Sequence, residues 1–480
     1  MKPILKTALL ACFFLPRICV HAGDFSAASN APSLSSPDLK ESTAERERRI
    51  AWWRKARFGM FIHFGLYAIP ARGEWVQWKE QIPLEDYAHL ADQFHPVSGP
   101  EEWAKAARDA GMQYMVLTSR HHDGFSLFDT RAGNFNSMKT ASQRDFVTEF
   151  LKAARSQGLH AGLYYSPLDW RFPGFFMPDL QRASAEKMRD QYHMQVEELL
   201  SNYGPVDILW FDGGETDWLN FSGDWKGAEW KKRPKVEHYK GGFSWNHEEV
   251  YRTLRRLQPD ILINGRADMP EDFHSREGDE ALGDFDNTHP WELCTTLAGA
   301  WGYQKNAKPK SLADCIRLLV NVAGRDGNLL LNVGPKPDGS IDADQVARLR
   351  EIGEWLARFG ESIYGTRGGP YLPCTKSLVS TRRENTIYLH LLDLPKGRLN
   401  LPSPGAPIQR MTILGGKEIP YVMQKGCIVF DVPLEQRQPM DTILKIELSR
   451  SAMDLPLVKA NGLLSFPQGE KKLNPTKTYP

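Results

Sequence analysis

The chain has few cysteines, almost no net charge and no long apolar run. Six cysteines occur in 480 residues, and only four follow the first 22 residues: Cys294, Cys315, Cys374 and Cys427. Their scattered positions match neither a disulfide framework nor a zinc-binding spacing. Sixty basic against 59 acidic residues leave a net charge of +1, so no field attracts nucleic acid or an anionic membrane.

Apolar residues make up 41% of the chain, which is enough for a large core and a smaller second domain. The first 22 residues have the pattern of a secretory signal. Lys2 and Lys6 charge it, LLACFFL supplies a short apolar stretch, and Val20–Ala22 fits small-residue cleavage. The stretch is too short to span a bilayer. We therefore predict cleavage near Ala22, secretion or periplasmic export, and no membrane insertion afterwards. Residues 23–44, rich in Ala, Ser and Pro, indicate a disordered leader.

A unit of helix, glycine and apolar strand recurs along the chain. Gly111, Gly158 and Gly204 lie 47 and 46 residues apart, and each follows a stripe of apolar residues at helical spacing. Each also precedes an apolar run that ends in a polar loop, in the order YMVLT, HAGLYYS and VDILWF. Further units start at FGMFIHF (58–64), ILING (261–265) and NLLLNVG (328–334). This repetition is typical of βα units.

The repeats predict an α/β fold: a (β/α)8-type TIM barrel over residues 45–368. An open doubly wound sheet is the alternative, and the lack of a glycine-rich phosphate loop disfavours it. Beyond residue 368 the sequence pattern changes and predicts short strands separated by turns, such as NTIYLHLLDL, CIVFDV and TILKIEL. We expect a C-terminal antiparallel β-sandwich over 369–450 and a loosely held tail over 451–480.

Polar side chains follow the predicted strands and should meet at one rim of the barrel. They are His63, His121, His122, Tyr164, Asp212 and Arg266, and the segment containing Glu74 and Trp75 could fold over them. Such groups suit an uncharged polyol, because they exchange hydrogen bonds with hydroxyls while aromatic rings pack on a sugar. Asp212 and a second carboxyl group from residues 271–280 would supply the pair that glycoside cleavage needs.

Each of these residues also has a structural explanation. His63 alone would more often be a buried structural histidine, and Asp212 could cap the following helix. His121 and His122 could bind a metal, although adjacent residues on a strand point to opposite faces. Several such residues at successive strand ends favour a shared chemical role.

Seven motifs in order resemble the retaining α-L-fucosidases of glycoside hydrolase family 29. They are FGMFIHFG, GEWVQW, TSRHHDGFSLFDT, GLYYSPLDW, ILWFDGG, DGNLLLNVGPKPDG and GEWLARFGESIYGT. The resemblance covers about residues 45–370, and the β-rich end fits that family's C-terminal β-sandwich. It implies an exo-acting enzyme that hydrolyses terminal α-L-fucose from a fucosylated oligosaccharide or glycoconjugate without a cofactor. It leaves self-association into a homo-oligomer open.

The resemblance also implies roles for individual residues. Asp212 matches the nucleophile, and Glu277, which follows a D-F pair in DFHSRE, matches the general acid/base. Glu280 is the reserve for that role and Asp279 a third choice. The positions that match sugar-binding residues are Phe61, His63, Glu74, Trp75, His121, His122, Tyr164, Arg266 and Trp301.

Three other functions stay open at this point. One is a retaining exo-glycosidase for a related sugar such as α-L-galactose. Another is a non-catalytic sugar-binding barrel. The third is a metal-dependent hydrolase built on His121, His122 and Asp123.

Overall fold

The computed structural model describes residues 41–215, 218–219, 239, 241–374, 377–395, 397–460 and the backbone of 464–465. The predicted signal peptide, most of the predicted leader and the last fifteen residues of the predicted tail lie outside the described residues.

Eight parallel strands form one sheet with the spatial order β5-β4-β3-β2-β1-β8-β7-β6. They are β1 Phe58–Ile62, β2 Tyr114–Arg120, β3 His160–Tyr165, β4 Ile208–Phe211, β5 Leu262–Ile263, β6 His274–Glu277, β7 Trp291–Thr296 and β8 Asn328–Val333. The two ends of the sheet meet where Asn264 bridges Phe273 in parallel, and the amide of Asp272 donates to the carbonyl of Ile263 at 2.8 Å. The predicted barrel is confirmed.

One helix precedes β1, and other helices follow most of the strands. They are α1 Thr43–Ala56, α2 Val76–Glu80, α3 Leu84–Ala88, α4 Pro100–Asp109, α5 Phe146–Ser156, α6 Pro173–Phe176, α7 Arg182–Asn202, α8 His247–Leu257, α9 Leu312–Gly324 and α10 Ala343–Phe359. Between β5 and β7 the chain, described without a gap, forms no α-helix. It forms β6 and a 3₁₀ helix, Asp279–Leu282. The barrel therefore departs from regular alternation beside the acidic segment 271–280.

Side-chain alternation along the strands decides what faces the barrel interior. Phe61, Tyr164 and Trp210 point inward and share a buried cluster, whereas Tyr165 and Phe211 belong to the core between sheet and helices. Each of these inward residues is the last but one of its strand, so together they line the interior just below the carboxyl ends of the strands.

Helix α1 packs against the amino-terminal side of the barrel strands. Ser42 and Glu45 form a capping box at its start, so Thr43 and Ala44 of the predicted leader are helical. Trp53 stacks on Phe273 with ring centroids 4.7 Å apart, and the Asn328 side chain donates to the Trp53 carbonyl at 2.8 Å. This helix was not predicted from the sequence.

The C-terminal part is the predicted antiparallel β-sandwich. Its strands are β9 Arg367–Gly368, β10 Tyr371–Leu372, β11 Leu378–Arg383, β12 Thr386–Leu391, β13 Leu399–Pro402, β14 Ile408–Ile413, β15 Tyr421–Gln424, β16 Cys427–Phe430, β17 Thr442–Leu448, β18 Val458–Lys459 and β19 Leu464–Ser465. The sheets of five and four strands are antiparallel, whereas β10 and β18 pair in parallel. Ala452 and Leu455, which lie in the predicted tail, are buried in the sandwich core.

Two further observations concern the described residues. No helix there is both long and apolar enough to cross a membrane. No disulfide joins Cys294, Cys315, Cys374 and Cys427.

Candidate active site

Asp212 lies directly after β4, at the carboxyl end of the strand, and its side chain is 17% exposed. The chain turns at once, because Gly213 adopts a left-handed conformation with φ of +73°. A Cβ atom at that glycine would lie 2.5 Å from Leu168 Cδ1, so a larger residue does not fit. The turn leaves the carboxylate of Asp212 at the end of the barrel where the strands' carboxyl ends converge.

Three side chains contact this carboxylate. The Tyr164 hydroxyl donates to Oδ2 at 2.9 Å, Arg266 Nη1 donates to Oδ1 at 3.0 Å, and His122 Nε2 lies 3.5 Å from Oδ2. Burial opposes ionisation of Asp212, but the charge of Arg266 and these hydrogen bonds outweigh it and lower its pKa. Asp212 is therefore ionised at neutral pH.

Glu277, at the end of β6, reaches the same arginine. Arg266 Nη2 donates to Glu277 Oε2 at 2.7 Å, and the glutamate side chain is 45% exposed. One guanidinium therefore bridges the two predicted catalytic carboxyl groups. The other candidates lie elsewhere: Asp279 accepts from the Thr295 hydroxyl at 2.7 Å, and Glu280 is exposed on the 3₁₀ helix. Of the three acids, the contact with Arg266 singles out Glu277.

The three predicted histidines are buried and uncharged at neutral pH. Burial lowers the pKa of His63 to about 3 and that of His122 to about 4, and it also lowers the pKa of His121. His122 Nδ1 lies 2.6 Å from the Ser166 hydroxyl. A neutral imidazole has one donor and one acceptor nitrogen, which suits sugar hydroxyls.

The tautomer of His63 follows from its neighbours. Asn332 donates through Nδ2 to the Trp301 carbonyl at 2.8 Å, so its Oδ1, which lies 2.7 Å from His63 Nδ1, must accept. His63 Nδ1 is therefore protonated, and its Nε2 is left as an acceptor for a hydroxyl group.

Aromatic rings lie around these polar groups. The ring centroids of Phe61 and Trp301 are 5.9 Å apart, and that of Trp75 lies 5.3 Å from the centroid of His122. Glu74 is buried beside Trp301 and accepts from the Gly302 amide at 2.8 Å. Burial raises the pKa of Glu74, although the amide opposes the shift.

The structure brings all the predicted sugar-binding residues into this one cluster through direct contacts or shared neighbours. His121 and His122 both belong to it, with ring centroids 4.2 Å apart, because they follow β2 instead of continuing it.

Asp123 accepts from the Tyr87 hydroxyl at 2.7 Å and from the Phe125 amide at 3.1 Å. Within the described residues no group of three His, Cys, Asp or Glu side chains could hold a metal ion.

Sequence reasoning missed several residues of the site. Trp210 lies two residues before Asp212 on the same strand, and that spacing was a usable signal, because alternate residues share a face. Glu215 is another: burial raises its pKa to about 7, and it interacts electrostatically with Arg266 and Asp212. Neither Asn332 nor Glu292, which contacts Trp210, stands out in the sequence.

A family model described as alpha-L-fucosidase matches residues 26–361 of the chain. The chain belongs to the alpha-L-fucosidase family. The family's members are glycoside hydrolases, so the predicted family and enzyme class are confirmed. A plasma alpha-L-fucosidase of Pongo abelii is 31% identical over 412 residues, which cover 77% of this chain and 81% of the relative.

Solved structures agree with this assignment. Alpha-L-fucosidase isoenzyme 1 from Paenibacillus thiaminolyticus is 34% identical, with a TM-score of 0.69, over 84% of this chain and 99% of that one. The Thermotoga maritima alpha-fucosidase in complex with a mechanism-based inhibitor is 26% identical, with a TM-score of 0.66, over 85% of this chain and 99% of that one.

The adjacent Tyr164 and Tyr165 provide a matched test of the site's hydrogen bonding. Tyr164→Phe removes a donor to an ionised group, worth about 1.5–3 kcal/mol, so kcat/KM for an aryl α-L-fucoside should fall about 10- to 100-fold. Losing that donor raises the pKa of Asp212, so the acidic limb of the pH profile of kcat/KM should move to higher pH. Tyr165→Phe is the control, since its hydroxyl donates outward to Gln195 at 2.8 Å. Equal losses in the two variants would contradict the role given to Tyr164.

Proposed function

We propose that the chain hydrolyses terminal α-L-fucose from fucosylated oligosaccharides or glycoconjugates with retention of configuration. Asp212 acts as the nucleophile and Glu277 as the general acid/base. The bridging contact of Arg266 with both carboxyl groups is the observation that carries this assignment. Family membership supports the substrate and the enzyme class.

In the first step Asp212 attacks the anomeric carbon of the fucose. The bond from that carbon to the glycosidic oxygen breaks, and the proton of Glu277 passes to the departing oxygen. The product is a fucosyl ester on Asp212 and an ionised Glu277. In the second step Glu277 takes a proton from water, whose oxygen attacks the anomeric carbon and releases the Asp212 carboxylate.

Arg266 suits this sequence because one negative charge moves between the two carboxyl groups. Before the first step the charge is on Asp212, and after ester formation it is on Glu277. Arg266 touches both, through Nη1 and Nη2, so the same cation balances the charge in either state.

The rest of the cluster suits a deoxy sugar. The neutral imidazoles of His63 and His121 can exchange hydrogen bonds with hydroxyl groups, and the neutral His122 lies beside the Asp212 carboxylate. The resemblance to the family implies that Phe61 and Trp301 would face the methyl group of the fucose. A hydroxyl at that position, as in α-L-galactose, would be desolvated against aromatic rings, which disfavours the related-sugar alternative. The carboxyl pair around Arg266 disfavours a purely sugar-binding barrel.

Removal of the nucleophile tests the covalent mechanism. Asp212→Gly should lower kcat for an aryl α-L-fucoside by at least about 10³-fold, since no ester can form. Added azide should restore turnover and give a fucosyl azide, whose anomeric configuration is read by NMR. Unchanged hydrolysis without azide would remove Asp212 from the mechanism.

Removal of the acid/base should depend on the leaving group. Glu277→Ala should lower kcat/KM about 10²- to 10⁴-fold for fucosyl oligosaccharides, whose leaving groups need protonation, and much less for aryl fucosides with acidic phenols. Glu280→Ala is the control on the neighbouring exposed helix and should resemble the wild type on both substrates. The opposite result would move the role from Glu277 to Glu280.

We also propose that the chain is exported and cleaved near Ala22. The charged and apolar pattern of its first residues supports this. N-terminal sequencing of protein recovered outside the cytoplasm should begin near residue 23, whereas an intact Met1 on the exported protein would contradict the proposal.

A further inference from the structure

We propose that Glu292 is a positioning residue for the two catalytic carboxyl groups and acts through Trp210 and Arg266. The proposal rests on the function given above. Glu292 touches neither Asp212 nor Glu277, so its effect on the reaction must pass through the indole of Trp210.

Glu292 is a carboxyl group inside the barrel. It lies on β7, is 1% exposed, and accepts two hydrogen bonds across the interior. The Tyr114 hydroxyl on β2 donates to Oε2 at 2.5 Å, and Trp210 Nε1 on β4 donates to Oε1 at 3.0 Å. Burial raises the pKa of Glu292 to about 7, although the hydrogen-bond donors around it oppose the shift.

Trp210 contacts both strong donors to Asp212. Its ring stacks on Tyr164 with centroids 5.7 Å apart and planes at 18°. The guanidinium carbon of Arg266 lies 5.2 Å from the ring centroid, within range of a cation–π interaction. Tyr164 and Arg266 in turn donate to the two oxygens of Asp212. The orientation of one indole therefore bears on both hydrogen bonds of the nucleophile.

The indole nitrogen is what fixes that orientation. The rings of Phe61 and Tyr164, which contact Trp210, would tolerate a small rotation of the indole, whereas a hydrogen bond to Glu292 sets its angle. An apolar residue at 292 would fill the interior without a desolvated carboxyl group. The carboxyl group of Glu292 lies in the barrel interior below the site, and its presence is explained because it holds Trp210 in place.

Four variants test the proposal on an aryl α-L-fucoside. Glu292→Leu removes the acceptor at similar volume, and kcat should fall about 10- to 100-fold with KM changed less than about threefold, as for other groups that orient reacting residues. The acidic limb of the kcat/KM profile should also move to higher pH, because the donors to Asp212 are no longer held. Glu292→Gln keeps an acceptor for Trp210 Nε1 and should retain kcat within about threefold.

Tyr114→Phe is the matched control, since it removes the other hydrogen bond to Glu292 and leaves that of Trp210. It should lower the melting temperature while kcat and the pH profile stay near those of the wild type. Trp210→Phe keeps a ring under Arg266 but removes the donor to Glu292, so it tests the same link if Glu292→Leu does not fold. Its kcat should fall by a similar factor.

The outcomes distinguish failure of the positioning role of Glu292 from failure of the proposed function. Wild-type kcat in Glu292→Leu or in Trp210→Phe would overturn the positioning role, as would a loss in Tyr114→Phe as large as in Glu292→Leu. A wild-type protein that releases no fucose from aryl fucosides or fucosyl oligosaccharides would instead overturn the proposed function.

Discussion

The site depends on one guanidinium that two carboxyl groups share. Burial disfavours the charge of Arg266, but Glu277 and Asp212 outweigh that effect and raise its pKa, so it remains a cation. The cation in turn keeps Asp212 ionised at 17% exposure. A buried charge is tolerated only with a partner of this kind, and the loss of Arg266 would leave the Asp212 carboxylate without its cation.

The barrel explains how residues distant in sequence meet around that cation. Asp212 follows β4, Arg266 follows β5 and Glu277 ends β6, so successive strands deliver the three groups side by side. The lack of an α-helix between β5 and β6 matters here. A short connection lets Arg266 and Glu277, eleven residues apart, face each other across the two ends of the sheet.

The strands that carry a continuous apolar run were predictable from the sequence, and with them the positions of His63, Tyr164 and Asp212. Strand β6 was not, because its residues His274–Glu277 are all polar and none of them is buried, a pattern typical of a loop. Helix α1 was hidden by its charged segment ERERR. The contact of Glu292 with Trp210, 82 residues earlier, depends on the closure of the barrel, and no local pattern encodes it. Glu277 itself came from the resemblance to a known family.

The same burial that makes the histidines suitable for a neutral sugar makes the fold sensitive to acid. His63 and His122 are neutral in the folded protein down to pKa values of about 3 and 4, whereas an exposed histidine in the unfolded chain binds a proton near 6.5. The unfolded state therefore gains protons first as the pH falls below 6.5. Each histidine then removes about 1.4 kcal/mol of stability per pH unit, until the folded form also titrates. Buried, neutral histidines therefore suit the recognition of hydroxyl groups, but the same burial lowers the stability of the fold at low pH.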